Sequence, residues 1–266
     1  MNHLHRGLAP ISEGAWAALD EEAGDYLRHF LAARKLIDLA GPSGRDTAAL
    51  TTGRIDTVAD DGVRISTIRT VPMVDLRVGF TLRRDELSAL ERGAEDADLD
   101  PLRDAARDIA AAEDGLVFDG LPSIDVGGIV GSSPHEAPTI PTDYEEYPFA
   151  VAAAVSRLKH AGVAGPYAIA LGPDCYQGVT ETTQHGGQVV FEHLRKILGG
   201  PLVWAPTLRG AVVLSMRGGD YHLQVGQDHS LGYLSHDPET VELYLEETIG
   251  FRVDGDEAAV ALRYDD

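Results

Sequence analysis

The chain has 266 residues, 44% of them hydrophobic and 24% charged, enough for one large or two modest cores and incompatible with disorder throughout. Its 22 basic against 43 acidic residues leave a formal net charge of −21, so the surface on average repels polyanions and nucleic acid is not an expected partner. One cysteine excludes an internal disulfide, and no apolar run approaches the roughly 20 residues that cross a bilayer, so a soluble, cytoplasmic chain with no membrane partner is expected.

The first predicted element is a helix over 12–33. Ser12 stands at its cap, Glu13, Asp20, Glu21 and Glu22 lie early, and Trp16, Leu19, Ala23, Tyr26 and Phe30 recur at helical spacing. Gly41-Pro42-Ser43-Gly44 breaks the pattern. Residues 54–59 and 63–70, joined across Asp60-Asp61-Gly62, then read as a hairpin able to project from the body. Strict alternation over 75–83 sets Leu76, Val78, Phe80 and Leu82 on one face of a half-buried strand. A short helix follows over 85–92. Asp100-Pro101 opens a longer one, with Leu102, Ala105, Ala106, Ile109, Ala112 and Leu116 at helical spacing and Gly120 at its end.

The stretch 123–148, rich in glycine, proline and serine, is the expected subdomain boundary. Beyond it the pattern gives helices over 149–161, 174–182 and 189–198 and strands over 167–171, 202–205 and 211–216. Arg217-Gly218-Gly219-Asp220 turns the chain into the alternating Tyr221, Leu223 and Val225, and a last long strand carries Val241, Leu243, Leu245, Ile249, Phe251 and Val253. The fold class is mixed α+β.

No P-loop, dinucleotide fingerprint, nucleophile elbow or paired-histidine zinc helix occurs. The ten histidines offer only loose spacings, His3 with His5 and His185 with His193, so no metal site is nominated. No catalytic residue is nominated either. From the residues alone, a hydrolase or peptidase with a dispersed catalytic site stays open beside a non-catalytic role.

Several segments carry a resemblance. They are Leu8-Ala9-Pro10-Ile11 with Trp16, then 34–42 (Arg-Lys-Leu-Ile-Asp-Leu-Ala-Gly-Pro), Leu90-Glu91-Arg92-Gly93, Ala112-Glu113-Asp114, Gly165-Pro166-Tyr167, Arg217-Gly218-Gly219-Asp220, and Gly226-Gln227-Asp228 with Ser230 and Gly232-Tyr233. In this order and spacing the chain resembles the encapsulins, shell subunits of bacterial protein nanocompartments, nearly end to end. The resemblance implies the tailed-phage major capsid protein fold and a closed icosahedral homo-oligomer around a cargo enzyme, a dye-decolourising peroxidase or a ferritin-like iron-storage protein. The shell itself would not be an enzyme, and its role would lie in oxidative stress or iron storage. The implied parts are an N-terminal inner-wall helix and linker over 1–50, an extended loop over 51–74, a discontinuous peripheral domain over 75–135 and 225–266, and an axial domain over 136–224. A phage-type capsid packaging nucleic acid is the alternative within the fold, and the acidic balance disfavours it.

By the same resemblance, cargo docks through a C-terminal targeting peptide against Phe30, Arg34, Ile37, Asp38 and Leu39 on one side and Val225, His229 and Leu231 on the other. Apolar members would supply pockets, while Arg34 and Asp38 would fix the peptide's polarity or brace the groove as an ion pair. The residues alone, without the resemblance, favour Phe30 and Ile37 as core and Arg34 and Asp38 as a helical pair four apart. His229 stands where an aliphatic residue is expected, so protonation there would make docking pH-sensitive. Gln184, His185, Gly186 and Gly187 correspond to the loop rimming the fivefold pore. Asp85 replaces the tryptophan with which some members bind flavin, so no cofactor is expected.

Overall fold

A computed structural model describes residues 3–184, 187 and 189–265. Its regular elements are α1 (Glu13–Phe30), β1 (Asp38–Ala40), β2 (Ala49–Asp61), β3 (Val63–Pro72), β4 (Val74–Arg83), α2 (Arg84–Glu91), α3 (Asp100–Phe118), β5 (Gly120–Leu121), β6 (Val126–Gly127) and α4 (Ile129–Ser132). They continue with α5 (Tyr147–His160), β7 (Tyr167–Leu171), α6 (Pro173–Glu181), α7 (Val190–Leu198), β8 (Gly199–Trp204), β9 (Ala211–Ser215), β10 (Tyr221–Val225), β11 (Ser230–His236), β12 (Thr240–Val253) and β13 (Ala259–Leu262). The largest sheet has the order β1–β10–β12–β11, with β4 also on β12. Among the described residues no helix is long and apolar enough to cross a membrane. The chain divides into two compact units, one of residues 3–30, 40–112 and 224–250 and the other of 31–39, 113–223 and 251–265.

In the first unit, α1 starts where the Ser12 hydroxyl accepts from the Ala15 N–H at 3.2 Å, and it buries Trp16, Leu19, Ala23 and Leu27 on one stripe. Strand β4 pairs antiparallel with β12 from Arg83 opposite Thr240 to Val74 opposite Ile249. Its alternation is the expected one, with Phe80 and Leu82 buried between exposed Gly79, Thr81 and Arg83. On the other edge of β12, β11 sets Gly232 opposite Tyr244, whose ring fills the space a Cβ on Gly232 would need. The hairpin is longer than expected. β2 and β3 form a two-stranded sheet of their own, turned at Gly62 with φ +76°, and nearly every residue from 53 to 70 is exposed.

The second unit is built on the sheet β13–β9–β7–β8, antiparallel except for the parallel pair β7/β8 that α6 and α7 connect. Strands β7, β9 and β13 are buried along their whole length, as strands covered on both faces must be. The glycine- and proline-rich stretch 123–148 is packed into this unit. Ser133 Oγ donates to the Ala259 carbonyl at 2.6 Å, Ile140 N–H to the Arg263 carbonyl at 2.8 Å, and Gly120 and Gly128 approach too closely to admit a side chain. Residues 113–135 and 251–265 count in this unit together with 136–223.

The helix expected over 12–33 ends three residues early. The Ala32 and Ala33 N–H groups, which a continuing helix would spend on carbonyls one turn back, are taken by the Asp114 carboxylate at 2.9 to 3.2 Å, and the chain makes a 3-10 turn over Ala33–Lys35 instead.

Candidate functional site

The residues expected to receive cargo fall in both units, and each group is seen within its own. In the first unit, Phe30 ends α1 half-buried in an aromatic and cationic stack. The Tyr26 ring lies 6.1 Å from it, the His29 ring meets it edge-on at 4.9 Å, and the Arg107 guanidinium covers it at 5.4 Å. Val225 and Leu231 are 2% and 1% exposed, so their side chains fill the sheet core. His229 is almost buried as well. Its Nδ1 lies 3.3 Å from Asp228 and its Nε2 3.2 Å from the buried Glu247 carboxylate, so the polar residue standing at an expected aliphatic position has acids on both ring nitrogens.

In the second unit, the segment 31–39 is held by two neighbouring carboxylates of α3. Glu113, fully buried, takes a two-pronged contact from Arg34, with Nε to Oε1 and Nη2 to Oε2 both at 2.8 Å. Asp114, also buried, accepts the two backbone N–H groups that cut α1 short. Burial pushes its carboxyl up to about 6, outweighing those two donors and the charges of Lys35 and Arg34.

The expected pairing of Arg34 with Asp38 is therefore corrected, both as a brace and as a helical pair. Arg34 is committed to Glu113, and Asp38 lies in a strand, where its Oδ2 accepts the Gly219 N–H at 2.5 Å. Gly218 and Gly219 both have positive φ, +81° and +83°, a conformation that lets the turn offer that N–H, and Arg217 forks onto Asp220 to close it. Beside this anchor, Lys35, Leu36, Ile37, Asp38, Met216 and Tyr221 are among the residues lining a small pocket. Leu39 is 49% exposed, Ile37 is half-buried, and both lie next to the anchored Asp38.

Of the four expected pore residues, His185 and Gly186 lie outside the described residues. Gly187 is exposed with φ +84°, and its N–H donates to the Gln184 carbonyl at 2.9 Å. Gln184 is turned inward, its Nε2 donating to the Glu145 carbonyl at 2.9 Å and its Oε1 lying 2.8 Å from His193 Nδ1. Because the amide nitrogen serves Glu145, the amide oxygen must accept, so His193 carries its proton on Nδ1. Glu113 and Asp114 carry part of the resemblance and His193 is one of the ten histidines, but the sequence assigns none of them a contact or a function. Their signal was a charged residue at a helical core position, and a histidine nine residues from the glutamine it holds.

A family model described as "Encapsulating protein for peroxidase" matches residues 1–250. A protein from Rhodococcus erythropolis named "Type 1 encapsulin shell protein" is 44% identical over 265 residues, covering 98% of this chain and 100% of its own. Among solved structures, a virus-like particle from Pyrococcus furiosus is similar with a TM-score of 0.66 at 19% identity, over 93% of this chain and 99% of that one. The capsid of the myovirus phage XM1 is similar with a TM-score of 0.53 at 12% identity, over 88% and 91%. The likeness of the two particles carries the capsid fold, the matching length and identity carry the family, and the chain belongs to the type 1 encapsulin shell proteins, structural subunits rather than enzymes.

Proposed function

We propose that copies of this chain close into an icosahedral shell in the cytoplasm around a peroxidase cargo, which a short C-terminal peptide of the cargo tethers to the shell. The observation carrying the assembly is the β2–β3 ribbon. It holds out Ile55, Val58, Val63, Ile65 and Ile68 at 55% to 72% exposure, on a two-stranded sheet that its own unit leaves uncovered. An isolated ribbon of that kind is marginal in water and invites association, so its apolar side chains find their burial on a neighbouring copy. Peroxidase is favoured over a ferritin-like cargo by the family description, and protein over nucleic acid by the net charge of −21. Within the parts assigned by resemblance, β2 and β3 supply the extended loop, and the sheet β13–β9–β7–β8 with its helices lies mostly in the axial domain.

For docking, the exposed Leu39 and half-buried Ile37 beside the fixed Asp38 supply an apolar edge on a strand whose position the Gly219 contact sets. Electron microscopy of the purified protein is the direct test. Uniform hollow particles that co-purify with a haem-absorbing protein are expected, whereas a stable monomer with its ribbon free would sink the reading.

A further inference from the structure

The chain's single cysteine lies among three of its nine tyrosines, all in the second unit. Cys175, in the first turn of α6, is fully buried, and its Sγ lies 3.1 Å from the Tyr264 hydroxyl. That hydroxyl lies 3.1 Å from the hydroxyl of Tyr144, which also reaches the Asp174 carbonyl at 3.2 Å. The Tyr144 ring rests on Gly178 of α6, so close that a Cβ there would stand 2.4 Å from the ring, and it stacks at 5.5 Å on Tyr147. Tyr147 is fully buried, and its hydroxyl, next to Cys175, meets no oxygen or nitrogen partner among the described residues. Burial first, and then the neighbouring Cys175, keep that phenol protonated far above neutral pH. Tyr264 and Tyr144 are half-buried, so the cluster runs from solvent to a buried sulfur through groups that all carry a hydrogen.

A structural role alone would not require this composition. A buried phenol with no oxygen or nitrogen partner costs about 1–3 kcal/mol relative to phenylalanine, and nothing in the packing calls for sulfur beside phenols. Phenols and a thiol in hydrogen-bond contact are the side chains that give up an electron and a proton together most readily.

We propose that Tyr264 and Cys175 form a relay that carries one-electron oxidation from the surface to a buried sulfur, with Tyr144 and Tyr147 extending it. A one-electron oxidant, of the ferryl-haem or small inorganic radical class, takes an electron from Tyr264, whose hydroxyl proton leaves to water and whose oxygen becomes a phenoxyl radical. Cys175 then passes its S–H hydrogen atom across the 3.1 Å contact, which restores the Tyr264 hydroxyl and leaves a thiyl radical on sulfur. The net change is one electron to the oxidant, one proton to water and one hydrogen atom lost from Cys175. The relay needs no particular cargo, so it stands or falls independently of the cargo reading.

The test is oxidation of the assembled protein by azide radicals generated in a radiolysis pulse, in aerated buffer. The readouts are the lifetime of the tyrosyl absorbance and the oxygenation of Cys175, which follows from capture of the thiyl by dissolved oxygen. In the unmodified protein the tyrosyl signal should decay at a rate independent of protein concentration, and Cys175 should appear as its sulfinic or sulfonic acid. Cys175→Ser should prolong the tyrosyl signal several-fold. Tyr264→Phe, which keeps the ring and removes the transferable hydrogen, should abolish the oxygenation, and it carries the test if the serine variant fails to fold. An unchanged tyrosyl lifetime in Cys175→Ser, or undiminished Cys175 oxygenation in Tyr264→Phe, would overturn the proposal.

Discussion

The Arg34 guanidinium grips the Glu113 carboxylate through two contacts of 2.8 Å, and Glu113 has no exposed surface while Arg34 retains 15%. Such a pair resists the loss of one partner far more than the loss of both, because a buried carboxylate stripped of its guanidinium keeps its desolvation cost without that compensation. Arg34→Met should therefore destabilise the chain by about 3–5 kcal/mol, while the double replacement Arg34→Met with Glu113→Leu should recover most of that. Denaturant midpoints of the single and double variants measure the difference. Equal destabilisation by the two would mean that the contact holds nothing in place.

Asp114, next along α3, supplies a pH signature of the same anchor. Burial holds its carboxyl at about 6, above the ordinary 3.8, so the folded chain binds this proton more tightly than the unfolded one. The stability this provides is complete below pH 3.8 and is lost as pH rises through 6. Relative to Asp114→Asn, which does not titrate, the unmodified chain should lose on the order of 3 kcal/mol between roughly pH 4 and pH 7. Chemical denaturation of both proteins across that window reads it directly. Parallel curves would show that Asp114 titrates as an ordinary carboxylate.

The α3 carboxylates also show what a sequence alone can and cannot tell. The apolar period through Leu102, Ala105, Ala106 and Ile109 identifies α3, and continuing it by four residues lands on Glu113, not on Ala112, which is exposed. A charge on the buried stripe was therefore visible, but its partner was not, because Arg34 belongs to a distant segment. The early end of α1 was hidden for the same reason, since Asp114 lies 82 residues from the N–H of Ala32. Local patterns gave β4, the hairpin and the helices α5, α6 and α7 of the second unit, but not the short α4, which lies in the glycine-rich stretch read as a boundary. Strand β11 escaped them because a bulge between Tyr233 and Ser235 breaks its two-residue period. The docking residues came from resemblance, and a family pattern does not report that Val225 and Leu231 turn inward.

The ribbon predicts a separation of folding from assembly. Ile55 and Ile68 face each other across β2 and β3, 66% and 65% exposed. Within the unit, replacing Ile68 by Asp gives up only this exposed cross-strand pair with Ile55, so the free chain should lose no more than about 1 kcal/mol. In a shell the same change strips an apolar contact worth roughly 1.5–3 kcal/mol and puts a charge in its place, at every copy. Sedimentation should show small soluble species in place of particles, with an unaltered circular dichroism spectrum. Intact particles would mean that the ribbon is not the grip between copies.

Cargo loading should be separable from both. Leu39 is the exposed apolar residue of the anchored strand, so Leu39→Asp costs the fold little and puts a charge where an apolar peptide side chain would rest. Asp38→Arg is the harsher change, because it also removes the acceptor of the Gly219 N–H. If the peptide docks along this strand, both variants should form particles and carry several-fold less peroxidase, with Asp38→Arg also melting lower. The ratio of haem to protein absorbance in purified particles measures the loading, and calorimetry measures the melting. Full loading in Leu39→Asp would place the docking peptide elsewhere on the wall, whatever the outcome for Asp38.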